Sequence, residues 1–363
     1  MRQQSWLIVP VAVAAVAALT VAIIAVGNNK SSSSSTTTAP ATTSMPGMDM
    51  GGATGKAGLQ SYAGQTPANA DALARAHKPY DATLPGLHPG PVVPLHITLK
   101  DVTTQIAPGV KFTAWTFDGG APGPVIHVRQ GQTVKVTLTN GGAIPHSIDF
   151  HAARIAPDKA FASVMPGKSF SFSFKAGDPG VFMYHCGTPP VLAHIANGMY
   201  GAIVVDPATP LRHADKEYVL VAGEWYLDGP GFPKAANLDM DKARAMIPDW
   251  VTFNGYANQY KDHPLTAKPG DLVRFYVVDA GPSLTTAFHV VGTIFDRAYV
   301  NGDMTQFQRG VQTVDVPAGG GGVFETRITQ PGLYPFVSHS FASVDMGEVG
   351  ILNVGNVKGT MSH

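Results

Sequence analysis

The stretch Tyr184-His185-Cys186-Gly187-Thr188-Pro189-Pro190-Val191-Leu192-Ala193-His194-Ile195-Ala196-Asn197-Gly198-Met199 contains the only cysteine of a 363-residue chain. A single cysteine cannot close an internal disulfide, so its thiol is open to other chemistry. His194 and Met199 follow it, and His146 stands upstream in Ile144-Pro145-His146. A strand ending at Cys186 and a tight loop carrying His194 and Met199 can converge on one point, while His146 reaches in from a neighbouring strand.

One thiolate, two imidazoles and one thioether form the donor set of a type 1 (blue) copper site, a plane of two His and one Cys with a weak axial Met. The plainer reading is a buried structural cysteine beside unrelated donors. It leaves the coincidence of four suitable side chains unexplained.

The surrounding texture is β. Short runs of alternating character at His96–Leu99, Lys111–Phe117, Val125–Val128, Thr133–Leu138, Ser169–Phe174, Val181–Tyr184 and Ala202–Val205 are separated by Pro-Gly and Gly-Gly pairs. Strands at this spacing predict a β-sandwich. A second set follows at Tyr218–Ala222, Trp250–Phe253, Leu272–Val278, Phe288–Val291, Gln312–Val316, Val323–Ile328, Leu333–Val337 and Gly350–Val354. The halves echo each other: Thr116-Phe117-Asp118-Gly119 recurs as Thr252-Phe253-Asn254-Gly255, and Pro179-Gly180-Val181-Phe182 as Pro331-Gly332-Leu333-Tyr334. The expected fold is all-β, two tandem Greek-key sandwiches of cupredoxin type at residues 93–207 and 208–357.

Strand parity separates a second group of donors. His185 and Cys186 are adjacent, so in an extended strand they point to opposite faces. His146 and His151 are also an odd number apart, which sends His146 to Cys186 and His151 to His185 if the segment is extended. Asp149 projects on the same side as His151. Two imidazoles are too few for a tight catalytic metal site, which takes three protein ligands and an open position. His339, in Val337-Ser338-His339-Ser340, occupies the repeat position of His185-Cys186 but is followed by serine, so the second half holds no thiolate. It is the candidate third ligand, and His289 is a further histidine that could face the same cavity.

These residues resemble the copper-containing nitrite reductases, two-domain cupredoxins. The carrying segments are Pro145-His146-Ser147-Ile148-Asp149-Phe150-His151, Tyr184-His185-Cys186, His194 to Met199, Phe288-His289-Val290-Val291-Gly292 and Val337-Ser338-His339. The resemblance covers roughly Leu95 to Val354. It implies a type 1 copper on His146, Cys186, His194 and Met199 and a catalytic type 2 copper on His151, His185 and His339, one of each per subunit. It further implies proton handling by Asp149 and His289, crowding of the substrate by Val291, and a homotrimer in which His339 and His289 reach the site of the next chain. The implied reaction is one-electron reduction of nitrite to nitric oxide, as in denitrification, fed by a small cupredoxin or c-type cytochrome. Ordinary pKa values near about 4 for Asp and about 6.5 for His imply a bell-shaped pH profile. The tryptophan that precedes the second type 1 histidine in one branch of the family is Ala193 here, which leaves the donor-facing surface undefined.

Two alternatives share the fold. A laccase-like multicopper oxidase builds its trinuclear cluster from His-X-His pairs, and neither half contains one. A non-catalytic cupredoxin electron carrier has no use for five polar groups in a second cavity.

The ends and the composition set the compartment. Trp6 to Val26 carries no charge over 21 residues, between Arg2 and Lys30, long enough for a membrane anchor. A cleaved signal peptide is the competing reading, with Ala25 and Gly27 near a possible cleavage point. Either way the remainder is exported, to the periplasm or cell surface. Residues 1–30 are read as anchor or signal and 31–92 as a flexible Ser/Thr/Met-rich stalk and linker. Met45, Met48 and Met50 in that stalk are soft donors suited to Cu(I) delivery, or plain linker. With 25 basic and 25 acidic residues the chain has no net charge, so nucleic-acid binding is not expected.

Overall fold

A computed structural model describes residues 58–359. The anchor and the methionine cluster lie outside the described residues. Eighteen strands and six short helices make up this part. The first sandwich contains β1 (Val92–Ala107), β2 (Val110–Phe117), β3 (Ile126–Arg129), β4 (Thr133–Asn140), β5 (Asp149–Phe150), β6 (Ser169–Lys175), β7 (Gly180–His185) and β8 (Tyr200–Asp206). The second contains β9 (Lys216–Trp225), β10 (Trp250–Phe253), β11 (Leu265–Ala267), β12 (Leu272–Asp279), β13 (Thr286–Val290), β14 (Arg297–Val300), β15 (Thr313–Val316), β16 (Gly321–Arg327), β17 (Gly332–Ser338) and β18 (Val349–Val354). The helices are α1 (Ala70–Ala76), α2 (Pro157–Ala160), α3 (Val191–Ala196), α4 (Met240–Ala245), α5 (Gln259–Asp262) and α6 (Phe341–Asp345).

Sheets of order β2-β1-β4-β6 and β3-β8-β7-β5 enclose one core. Alternate residues of β1 (Val93, Leu95, Ile97, Leu99) and β4 (Val134, Val136, Leu138) face Phe150, Tyr184 and Ile203 across it, as period-two patterning requires. The second pair, β10-β9-β12-β16-β14 and β11-β18-β17-β13-β15, closes around Phe275, Phe288, Phe324 and Phe336. β9, β12, β16, β7 and β8 have further buried residues on their other faces: Val181, Met183, Ala202 and Val204 pack on Val219, Val221, Tyr276 and Val323. The two sandwiches therefore meet sheet to sheet. Burial on both faces explains why β12 is mostly apolar rather than alternating, and why even its Arg274 is buried.

Two features differ from the sequence reading. His194 sits on the short helix α3, where a tight loop was expected. Residues 58–91, read as the end of the linker, are held in place. Tyr62 N donates to Asp249 Oδ1 at 2.7 Å, Tyr80 N to Gln259 Oε1 at 2.7 Å, and His88 N to the His127 carbonyl at 3.1 Å. Polar composition suggested a linker, but these backbone donors find acceptors on both sandwiches.

Candidate metal centres

The strand register delivers the first cluster. β7 pairs with β8 so that His185 lies opposite Tyr200, and one residue on, Cys186 N donates to the Met199 carbonyl at 3.1 Å. Met199 N in turn donates to the His194 carbonyl at 3.1 Å. The short helix thus brings His194 back over the cysteine: Cys186 Sγ stands 3.1 Å from His194 Nδ1 and 4.0 Å from His146 Nδ1, and the two Nδ1 atoms are 3.0 Å apart. Ser147 N donates to the sulfur at 3.3 Å. His146, Cys186, His194 and Met199 are all buried, at 2% exposure or less. Burial, reinforced by the His146 charge, pushes the His194 imidazole down to about 4, and burial lowers His146 as well. Both shifts favour the neutral form in which an imidazole ligates.

The second cluster forms on the other side of the same backbone. β5 pairs with β7 in a register that sets Asp149 opposite His185, and Asp149 Oδ2 lies 4.0 Å from His185 Nε2. Only Asp149 and Phe150 are extended here, so the parity expected over residues 147–151 is not realised as a continuous strand. Even so, His151 meets His185 and His146 meets Cys186. His151 Nδ1 donates to the Gly319 carbonyl at 3.0 Å, and His185 Nδ1 to the Cys186 carbonyl at 2.9 Å. A carbonyl only accepts, so each ring carries a proton on Nδ1 and Nε2 is the position left to ligate. Those two Nε2 atoms face each other at 3.1 Å. Two ring nitrogens converging beside the Asp149 carboxylate make a place for a cation, and the donor set fits a copper ion. Burial, backed by the charge of His151, lowers the His185 pKa, keeping it neutral as a ligand must be.

His339 does not join this cluster within the chain. His151, His185 and Asp149 form one group, whereas the exposed His339 pairs with His289, ring centroids 5.4 Å apart. His289 Nδ1 donates to the Gln312 carbonyl at 2.8 Å, leaving its Nε2 unassigned. Val291, two residues on, is 40% exposed. Sequence reasoning missed the carbonyls of Gly319 and Gln312, which carry no side-chain signal.

Gly319 holds φ +78, and a Cβ there would stand 3.4 Å from His151 Cε1. A loop of the second sandwich therefore orients a ligand of the first, and the left-handed backbone at that point is one glycine adopts without strain.

Two sandwiches, a buried Cys-His-His-Met cluster and an adjoining His-His-Asp cluster define a two-domain copper protein of cupredoxin type. A multicopper oxidase family model matches residues 98–210. The chain is 44% identical over 258 residues to the copper-containing nitrite reductase of Neisseria gonorrhoeae, covering 69% of this chain and 66% of that one. It is 32% identical to that of Rhizobium sullae, covering 69% of this chain and 72% of that one. The solved copper nitrite reductase of Nitrosomonas europaea superposes with a TM-score of 0.68 at 35% identity, covering 73% and 94%. The chain belongs to the copper-containing nitrite reductases. It spans about two thirds of the length of its Neisseria relative.

Proposed function

We propose that this chain reduces nitrite to nitric oxide and water, consuming one electron and two protons. The observation that carries the reading is that consecutive residues, His185 and Cys186, enter two different clusters. His146, Cys186, His194 and Met199 would hold a type 1 copper, and His151 and His185 a type 2 copper completed by His339 of a neighbouring copy. When bound, the first ion supplies a one-electron carrier and the second a Lewis-acid centre for a small anion.

The residues do the rest. The two-residue connection gives the electron a short covalent path between the clusters. Asp149, half-buried at the edge of the His151–His185 pair, supplies a proton to a nitrite oxygen. His289, with its Nδ1 proton committed to Gln312, can take up and release the second proton only at Nε2. Val291 walls the anion site.

A homotrimer is part of this reading. It is supported by the His339–His289 pair, beside which no third donor stands among the described residues, and by the His151–His185 pair, which is one histidine ligand short. Export, with residues 6–26 as a membrane anchor, an extracytoplasmic location and a small cupredoxin or c-type cytochrome as donor complete the proposal. The laccase-like alternative is disfavoured because Gly187 stands where that class requires a histidine after the cysteine.

The test is nitrite-dependent nitric oxide release by copper-loaded protein with a reduced mediator, beside His289→Ala. Wild-type protein carrying both coppers and releasing no nitric oxide would refute the reading.

A further inference from the structure

No copper-site residue is near Trp115 in sequence, yet its indole touches both buried imidazoles of the sulfur cluster. Trp115 lies on β2, where alternation places it with Phe117 on the core side. Its ring centroid is 4.9 Å from that of His194 at an interplanar angle of 57°, and 5.5 Å from that of His146 at 60°. The two imidazoles are themselves 5.0 Å apart at 83°. The three rings form one tilted set, a favoured arrangement for aromatic pairs.

The backbone fixes this placement. Trp115 N donates to the Asn197 carbonyl at 3.0 Å, inside the loop that joins His194 to Met199. At Gly198, which has φ +102, a Cβ would lie 3.4 Å from the Trp115 carbonyl and 2.7 Å from Ala121 Cβ. The ligand loop therefore docks on the strand that carries the indole, and only glycine permits that approach. Trp115 is partly buried, whereas His146 and His194 are 1% and 2% exposed. The indole thus stands between the imidazoles and water. Ala193, which precedes His194, has no bulk to do this.

We infer that Trp115 is a positioning residue of the type 1 centre: it fixes the angles of both imidazoles and keeps water off them, and so helps set the centre's reduction potential. The inference rests on the type 1 reading of that cluster. One thiolate and two neutral imidazoles leave the oxidised Cu(II) centre with one net positive charge and the reduced Cu(I) centre with none. Water stabilises the charged state more than the neutral one, so excluding it favours reduction. Removing the indole must lower the potential.

The experiment titrates copper-loaded full-length protein with a redox mediator, without nitrite, and follows the visible thiolate-to-copper band. In Trp115→Ala and Trp115→Leu the reduced-to-oxidised ratio at a fixed poise falls about tenfold, or about 59 mV for a one-electron couple. Trp115→Phe keeps a ring and stays within about twofold of wild type by the same relation. If the alanine variant does not fold, the leucine variant carries the measurement. Copper loading of apo-protein also quenches indole fluorescence in wild type, and that quenching shrinks in Trp115→Phe. A leucine variant that titrates with wild type overturns the inference. A wild-type protein without the band would instead overturn the type 1 assignment beneath it.

Discussion

His185 and Cys186 share a peptide bond but not a site: the His185 imidazole meets His151 at 3.1 Å, while the Cys186 sulfur meets His194 at 3.1 Å. The end of β7 thus gives one cluster a thiolate and the other an imidazole. The function proposed above follows from that division.

Cys186→Ala removes the thiolate without disturbing His185. The visible thiolate-to-copper band should vanish while the type 2 electron paramagnetic resonance signal persists. Turnover with a one-electron mediator should drop to background. A variant that keeps the band would place the thiolate elsewhere.

Asp149→Asn keeps the shape of the side chain and removes its acid function. Metal analysis should find both coppers still bound, and kcat should fall by about 10²- to 10⁴-fold, the usual contribution of a positioned acid or base. Full turnover in this variant would remove Asp149 from the proton path.

Gly319→Ala tests the carbonyl that orients His151. A non-glycine residue at φ +78, with its Cβ against the imidazole, costs about 1 to 3 kcal/mol locally. Disturbing such a supporting hydrogen bond typically weakens a metal site by about 10- to 100-fold. Type 2 copper should therefore be lost on dialysis while the type 1 band is unchanged. Equal loss of both coppers would point to general unfolding.

A group of buried carboxyls beneath the His289 and His339 strands makes stability fall with pH. Burial raises Glu348 to about 8 and Asp279 to about 7, and the charges of neighbouring carboxylates add to both shifts. Glu348 accepts from Thr286 Oγ1 at 2.6 Å and Asp279 from Thr286 N at 2.8 Å, so both grip the start of β13. With folded values above the unfolded ones, the native state holds the extra protons. This contribution is complete below about pH 4 and is lost as pH rises through about 7 to 8. The Tm should be lower at about pH 8.5 than at about pH 5.5, by roughly 4 °C or more, and Glu348→Gln should flatten that slope. An unchanged slope in the variant would mean that Glu348 is ionised in the native protein.

Much of the two clusters was legible because side-chain chemistry and strand parity are local. Cys186, His194 and Met199 lie within one short segment, and adjacency alone separates His185 from Cys186. The strands around Trp250–Phe253 and Leu272–Asp279 were legible from their β-branched and aromatic runs. Short strands such as β11 (Leu265–Ala267) and β14 (Arg297–Val300) were missed, since so few residues give no periodicity and, unlike Trp250–Phe253, neither is a run of β-branched and aromatic residues. The Gly319 and Gln312 carbonyls were invisible because any residue has a carbonyl, and only the fold decides where it points. Trp115 was missed for a related reason: a β2 residue reaches His194 through sheet packing, not spacing.

The most direct test of the central claim is a single turnover. Copper-loaded protein is fully reduced without oxygen, freed of reductant and mixed with nitrite, while the type 1 band and nitric oxide are followed together. The expected result is return of the band as the type 1 copper is oxidised, with nitric oxide released in step, and loss of both in Asp149→Asn. A type 1 copper that stays reduced in the presence of nitrite, with the type 2 site filled, would contradict the account.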